Sequence, residues 1–458
     1  MIENDAFKLL LINLFHLNPD DIANILCTTF NKMMVLVVTL ADKHQACPYC
    51  GFTAPKIKEY VTKEITHSAL TTQKCIIKYR ARRYKCSCCG KTYYEFNPFV
   101  FKSQKISILT VHNILKDLKD FNETFTSVAR RYHVSPTSVS TIFDNHVDIG
   151  RNPLPEIINF DEVYAFKSEK SKYVCVLLDF KKQIPVDVLP NRKKEYLLNY
   201  FQKIPLEERK KVKYACSDMY EVYRDVVHKV FPSCCMLLDY FHLSQDFHRK
   251  MNEVRIKVMK GYKDNKASDE YYLLKKFNWL LFKNPEDEDK YGRLFDVERE
   301  RKYNSHFKSY MNYYDLRKKL LEINNDLTIC YSLKLELVDF YSKSTIDNAK
   351  VNLENLIRSC IDTNIDEMIA FSNNLINWKQ EIINSFTIVG TEYKVEADKG
   401  QVVVCNKKVN NAIIENRNKI IKCIKNNANG YTNWSRFRNR VMYVLDPNAT
   451  FSLEPREK

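Results

Sequence analysis

Ile157-Ile158-Asn159-Phe160-Asp161-Glu162 is a short apolar run that ends in acids. The same form recurs at Val212-Lys213-Tyr214-Ala215-Cys216-Ser217-Asp218 and at Cys235-Met236-Leu237-Leu238-Asp239. Short apolar runs rich in β-branched and aromatic residues read as strands. Ile157 to Tyr164 is the first. Tyr173 to Asp179 follows the charged turn Lys167 to Lys172, and Ile184 to Leu189 is third. Lys193 to Gln202 reads as a helix, Val212 to Ser217 as a strand and Glu221 to Val230 as a helix. Cys235 to Asp239 is the last strand.

Three strands followed by alternating helices and strands is the order of an RNase H-like fold. There the first acid lies on strand one and the second after strand four, which selects Asp161 and Asp218. A third acid, Glu415, heads the helix Ile413-Ile414-Glu415-Asn416-Arg417-Asn418-Lys419, and no acid occurs from Arg417 to Arg440. Two strand acids and a late helical glutamate can converge on divalent metal. Hard oxygen ligands suit Mg²⁺, and two such ions can clamp both oxygens of a phosphoryl transfer. Singly, an Asp closing a strand is a cap, and a Glu at a helix start complements the dipole. Three in matching contexts select the catalytic reading. Glu162 should point to the opposite face from Asp161, and with Asp179 it is set aside. Asp239 and His242, three residues apart, are secondary catalytic candidates beside a structural reading of the histidine.

The chain has 458 residues, 72 Lys plus Arg and 56 Asp plus Glu, for a net charge of +16. The charge lies in blocks. Lys56 to Lys105 holds 12 basic and 3 acidic residues, and Arg417 to Arg440 adds seven basic residues. Blocks of this kind suit a polyanion, here double-stranded DNA. The acidic start and short Leu9-Leu10-Leu11-Ile12 run do not read as an export signal. No apolar stretch approaches the roughly 20 residues of a membrane span. Fifteen Cys in such a chain imply reduced thiols in a cytoplasm.

The expected fold class is multidomain α+β. Residues 1–97 form a zinc-binding, zinc-ribbon-like module with a leading helix and a strand from Met33 to Leu40. Cys47-Pro48-Tyr49-Cys50-Gly51 and Cys86-Ser87-Cys88-Cys89-Gly90 are two knuckles, each followed by Gly. Such turns aim two thiolates each at one tetrahedral Zn²⁺. Cys47, Cys50, Cys86 and Cys89 are the ligands, although Cys88 could replace either Cys86 or Cys89. A hairpin around Ile65 and Ile76 to Tyr84 fills the gap. It carries Arg82 and Arg83 beside aromatics, suited to DNA contacts or to a solvated strand face. Residues 98–150 are helical. Asn122 to Tyr132, the turn His133-Val134-Ser135 and the helix from Pro136 make a helix-turn-helix, with Ser135 as N-cap and Pro136 at the first helical position. Thr137, Ser138 and Ser140 are its groove-facing candidates. An ordinary helical hairpin is the alternative.

The chain resembles the ISL-three family of bacterial insertion-sequence transposases, of the DDE class. Phe160-Asp161-Glu162 with a strand at Tyr173, Ser217-Asp218-Met219-Tyr220 and Asp239-Tyr240-Phe241-His242 match its blocks. Glu415 to Lys422, then Asn429-Gly430-Tyr431 and Arg436-Phe437-Arg438, match its glutamate helix and basic tail. One departure precedes the glutamate: Asn410-Asn411-Ala412 stands where the family usually has Ser-Asn-Gly. The resemblance implies that Asp161, Asp218 and Glu415 bind two catalytic Mg²⁺ (or Mn²⁺) ions. They would cut DNA at element ends and join it to target DNA without a covalent protein intermediate. Lys419, Lys422, Arg436 and Arg438 on the basic tail would contact DNA. A homodimer on DNA, acting in the bacterial cytoplasm at the nucleoid, is expected, with no membrane and no small-molecule substrate.

Asp218 and Glu415 are separated by 196 residues. The catalytic domain is therefore expected in two parts, 151–255 and 399–458, around a helical insertion at 256–398. Tyr271 to Phe282, Tyr303 to Asn324, Ile346 to Cys360 and Ile365 to Phe386 read as its helices. Two competing readings are a zinc and helix-turn-helix DNA-binding regulator with a decayed catalytic domain, and a nuclease of the same fold that cuts without joining.

Overall fold

The computed structural model describes residues 2–43, 45–53, 55–68, 70–101, 104–166, 171–395 and 402–456. Helix α1 (Ile2–Leu14) leads into an antiparallel pair, β1 (Ile22–Phe30) and β2 (Met33–Leu40). Asn31 and Lys32 between them sit at φ 47° and 60°, which a two-residue hairpin turn requires. Strand β1 was not expected from the sequence. Its register shifts between Ile22 and Asn24, and only Ile22 and Ile25 are buried, so the usual alternation is absent. Strands β3 (Lys56–Thr66) and β4 (Cys75–Lys85) form the anticipated hairpin, and β5 (Thr92–Tyr94) adds to β4. The sheet order is β1-β2-β4-β3.

Three helices follow: α2 (Ile108–Asp117), α3 (Phe125–Arg131) and α4 (Pro136–His146). Thr124 and Ser127 make a capping box on α3. His133 turns the chain at φ 53°, and Ser135 caps α4 through the Ser138 amide.

The central sheet contains β6 (Ile157–Val163), β7 (Val174–Asp179), β8 (Pro185–Leu189), β9 (Tyr214–Ser217) and β10 (Cys235–Leu238), in the order β10-β9-β6-β7-β8. Strands β10, β9 and β6 are mutually parallel, and β7 and β8 run antiparallel beyond them. The middle strands are buried on both faces, hence their near-continuous apolar runs. Helices α5 (Lys194–Gln202) and α7 (Glu221–Val230) cover one face, where Phe201, Tyr223 and Val227 meet Ile158 and Phe160; the short α6 (Leu206–Arg209) precedes β9. The first four residues of the expected turn at Lys167 to Lys172 lie outside the described residues.

Helix α8 (Tyr240–Lys260) starts directly after β10 and runs unbroken through the expected boundary at 255/256. Its buried Leu243, Phe247, Met251 and Val254 join the core of the helical unit, so that unit begins at α8. It continues with α9 (Asp269–Lys276) and the hairpins β11 (Glu288–Asp289)–β12 (Gly292–Arg293) and β13 (Lys302–Asn304)–β14 (Ser309–Met311). Then come α10 (Tyr313–Glu322), α11 (Asn325–Lys343), α12 (Ala349–Asp362), α13 (Asp366–Asn377) and α14 (Lys379–Asn384). The expected helix from Tyr303 therefore opens as a hairpin. Helix α11 escaped the sequence because it is central, with Leu327, Cys330, Leu333, Leu337 and Phe340 all buried and no clean polar face. A ribbon, β15 (Ile388–Val395) and β16 (Val402–Lys408), returns the chain to the sheet. The expected boundary at 398/399 lies outside the described residues.

Helices α15 (Ala412–Asn427) and α16 (Trp434–Leu445) close the second face of the sheet. Ile414, Ile421, Phe437 and Val441 pack on Val163, Val174, Val176 and Leu178. Helix α16 also holds α2–α4. Buried Arg440 donates to the Asp120 and Glu123 carbonyls, both at 2.8 Å, and the Tyr443 hydroxyl donates to the Leu115 carbonyl at 3.0 Å. Phe437 is wholly buried against Phe166, Trp434 and Tyr431. Phe437→Ala is expected to cost about 3–5 kcal/mol. The check is the urea midpoint followed by tryptophan fluorescence, and an unchanged midpoint would refute the anchoring role of this ring.

Candidate active site

Asp161, Asp218 and Asp239 stand at neighbouring strand ends. Asn159 pairs with Cys216 across β6 and β9, so Asp161 and Asp218 each lie two residues beyond that pair. Leu238 pairs with Ser217, and the Asp239 amide donates to the Ser217 carbonyl at 3.1 Å. Asp161 shares its sheet face with Asn159 and Val163, beneath α15. Glu162 faces the other way, where it pairs with Arg192 and accepts from the Tyr223 hydroxyl at 3.2 Å. Asp179 accepts from the Lys181 and Lys182 amides, 2.8 and 3.0 Å, as a turn cap. Glu162 still acts on Asp218 through its charge.

Three asparagines that the sequence reading did not single out build the floor. Asn418, one turn beyond Glu415, donates to Asp161 Oδ2 at 2.7 Å. Asn159 donates to Asn411 Oδ1 at 2.7 Å and to the Asn410 carbonyl at 2.8 Å. The Asn411 amide donates to Asp239 Oδ1 at 3.3 Å. Asn411 thus ties the start of α15 to both β6 and β10. The missing family glycine has no structural consequence. Asn411 sits at φ −94°, and Ala412 is the first helical residue, where alanine is preferred to glycine.

His242, in the first turn of α8, lies between Asp239 and Glu415. Its Nε2 is 3.8 Å from Asp239 Oδ2 and 3.9 Å from Glu415 Oε1. One ligand atom each from Asp239, His242 and Glu415 falls within a 4.8 Å cluster. The crevice therefore holds two groupings, Asp161 with Asp218 and Glu415 with Asp239 and His242. Burial pushes the Asp161 carboxyl up to about 7, and the nearby Asp218 charge adds to this. Burial raises Asp218 to about 6 and raises Asp239 as well. Asp218 Oδ1, Asp239 Oδ2 and His242 Nε2 are buried without a hydrogen-bond partner. Buried acids with open lone pairs fit a divalent cation, which is the counter-charge they lack.

A family model for DDE transposases of the ISL3 type, described as Transposase, matches residues 158–397. The chain belongs to this transposase family. The match contains Asp161, Asp218, Asp239 and His242 and ends before Glu415. The transposase for insertion sequence element IS1001 of Bordetella parapertussis is 19% identical over 409 residues, 89% of this chain and 90% of that protein. The family uses divalent metal, as the acids of the crevice would require.

The transposase carries a second metal-capable cluster. Cys47, Cys50, Cys86 and Cys89 bring their sulfurs within 4.8 Å of one another. Cys47 and Cys89 are 3.7 Å apart, Cys50 and Cys86 3.5 Å. Four thiolates about 2.3 Å from one tetrahedral ion would stand about 3.8 Å apart. Gly51 and Gly90, at φ 74° and 70°, close two matching knuckles by donating to the Cys47 and Cys86 carbonyls. Cys88 is exposed and outside the cluster. The Cys89 amide helps hold the Cys86 thiol down to about 7.

The residues expected on DNA divide into two sets. Lys419 and Lys422 are exposed on α15, on the same stripe as Glu415, and Thr137 is exposed at the start of α4. Ser138 is half-buried and shares the Ser135 cap. Arg83 pairs with Glu59 at 2.6 Å on a half-open strand face. The others are paired within the chain. Arg82 pairs with Glu95 at 2.7 Å and donates to the Leu40 carbonyl. Ser140 is buried and donates to the Thr137 carbonyl. Arg436 binds Asp144, and Arg438 binds Asp187 and the Ile149 carbonyl. These two arginines hold α16 to α4 and β8. Thr141, one turn after Thr137, and Arg130 on α3 are exposed instead. Among the described residues no helix is long and apolar enough to cross a membrane.

A carboxyl whose pKa is raised in the fold resists ionisation there. Its stability contribution is intact below the unfolded value, about 3.9, and is lost as pH rises towards about 7. In Mg²⁺-free buffer the melting temperature should therefore fall between about pH 4 and about pH 7. Asp161→Asn should flatten that slope and be the more stable protein at pH 8. In the same window protons compete for the ligands, so Mg²⁺ affinity should weaken as pH falls. A flat melting profile for wild type would contradict the burial of these acids.

Proposed function

We propose that this transposase binds the double-stranded ends of an insertion sequence, cleaves there and joins the ends to target DNA. The observation that carries this reading is the pair of buried acids Asp161 and Asp218 beside neighbouring parallel strands, with Glu415 on the helix whose Asn418 donates to Asp161. The sheet order β8-β7-β6-β9-β10, with β6 antiparallel to β7 and parallel to β9, supports an RNase H-like reading of this domain. When bound, divalent ions supply Lewis-acid activation of the attacking oxygen and stabilisation of the leaving oxygen. The chain's own groups do the rest. Burial opposes the ionisation of Asp161 and Asp218, so their full charge would be developed against a bound cation. Asn418 fixes the Asp161 rotamer, and Glu415 is presented by a helix held on two strands.

The DNA-binding surfaces follow from exposure. Helices α3 and α4, with their four-residue connection, have the form of a helix-turn-helix, and Thr137 and Thr141 lie on the open face of α4. Lys419 and Lys422 extend the Glu415 stripe along α15 as a track for phosphates. The Cys₄ cluster binds structural Zn²⁺, because the small core of Cys47, Tyr84, Cys86 and Tyr93 gives its knuckles little other support. Two copies on two DNA ends, in a bacterial cytoplasm, complete the reading.

One zinc per chain should be found by atomic absorption, and Cys47→Ser should lose it and become protease-sensitive between residues 45 and 97. The central test incubates purified protein with element-end DNA and a plasmid target in Mg²⁺. Wild type should yield joined product. Asn418→Ala should lose roughly 10–100-fold, as removal of an outer partner of a metal ligand does, and Asp161→Ala more than that. End cleavage without joining by wild type would reassign the chain as a nuclease. End binding with neither reaction, in Mg²⁺ or Mn²⁺, would make it a DNA-binding regulator.

A further inference from the structure

The crevice contains a histidine that the three-acid reading does not use. We propose that Asp239, His242 and Glu415 form a distinct divalent-cation seat with one nitrogen and two oxygen ligands, beside the seat made by Asp161 and Asp218. The proposal rests on the reading of this crevice as a metal-dependent active site and deepens it.

Three observations support the assignment. First, the separations of 3.8 and 3.9 Å from His242 Nε2 to the two carboxylates are too long for hydrogen bonds. Ligand atoms about 2.1 Å from one ion stand roughly 3.0–4.2 Å apart, depending on angle, so a cation fits where a proton does not. Second, Asp239 Oδ2 and His242 Nε2, the two atoms facing each other, are buried without any partner. Asp239 is 3% exposed, and its other oxygen is already used by the Asn411 amide. An orphaned carboxylate oxygen at that depth is costly unless something positive meets it. Third, each ligand is held by a rigid element. Asp239 ends β10 and His242 lies one turn into α8, which the helical unit anchors through Leu243 and Phe247. Glu415 lies in the first turn of α15, whose start is pinned by Asn411.

The ligand chemistry has a consequence. An all-oxygen seat suits Mg²⁺, whereas an imidazole nitrogen favours first-row transition ions. The Asp239–His242–Glu415 seat should therefore prefer Mn²⁺ over Mg²⁺ more strongly than the Asp161–Asp218 seat does. It also makes the helical unit, through the first turn of α8, a structural partner in metal binding.

The test is a Mn²⁺ titration of the full-length, zinc-loaded chain without DNA, read by calorimetry and by the electron paramagnetic resonance of free Mn²⁺. His242→Ala and Asp239→Asn should each weaken one Mn²⁺ site at least 10-fold, the scale of a lost ligand or its partner. Asp161→Ala should leave that site occupied. His242→Ala should change Mg²⁺ affinity much less than Mn²⁺ affinity. Circular dichroism and zinc content identify any variant that misfolds, and Glu415→Gln then serves as the replacement. Unchanged Mn²⁺ affinity and stoichiometry in the folded His242 and Asp239 variants would overturn the proposal. The functional reading fails separately. Wild type that binds Mn²⁺ through His242 but joins no DNA sinks the transposition chemistry alone. Wild type that joins DNA with His242-independent Mn²⁺ binding sinks only the seat.

Discussion

Burying several carboxylates side by side is the constraint on which the rest of this structure depends. Asp161, Asp218 and Asp239 sit at the ends of three neighbouring parallel strands, and Asp161 and Asp218 are pushed up to about 7 and about 6. Repulsion and desolvation both oppose their ionisation, so without a cation the crevice is a standing electrostatic penalty. A fold retains such a site only if its surroundings hold it open. The asparagine floor does this with neutral donors. Asn418, Asn159 and Asn411 fix carboxylate and backbone positions without neutralising the charge a metal needs.

The same constraint explains the long detour of the chain. Glu415 is supplied from a helix 196 residues after Asp218, and its helix must lie on β6 within hydrogen-bond reach of Asp161. The helical unit between them is a folded body with its own core, entered by α8 directly from β10 and left by the β15–β16 ribbon. The insertion leaves the strand order undisturbed. Helix α16 then does two tasks. Its apolar side seals the sheet, and Arg436, Arg438 and Arg440 fasten the α2–α4 helices to the catalytic unit. Basic residues that look like a phosphate-binding tail are, at these positions, an internal clamp.

Some features were readable because their signals are local. The strand runs, the Ser135 cap, the glycine-closed knuckles and the acids at strand ends each follow from a few adjacent residues. Features without local signals were missed. Strand β1 is an edge with a bulge, α11 is a central helix without a polar face, and the hairpin before α10 has too few residues for a period. The charge blocks gave the overall sign of the surface, yet could not separate Arg82 and Arg438, which are paired inside, from Lys419 and Lys422, which are exposed on α15.

By itself, the sequence carried the order of strands and helices along the chain, the family resemblance and the candidate acids, because periodicity and motif spacing are properties of contiguous chain. Which acids lie close together was decided by the tertiary structure alone. Asp239, His242 and Glu415 meet only where β10, α8 and α15 converge, and no spacing along the chain encodes a distance across that junction. The membership of the cysteine cluster was decided the same way: the spacing left Cys88 as an alternative to Cys86 or Cys89, and the fold brings Cys86 and Cys89 to Cys47 and Cys50.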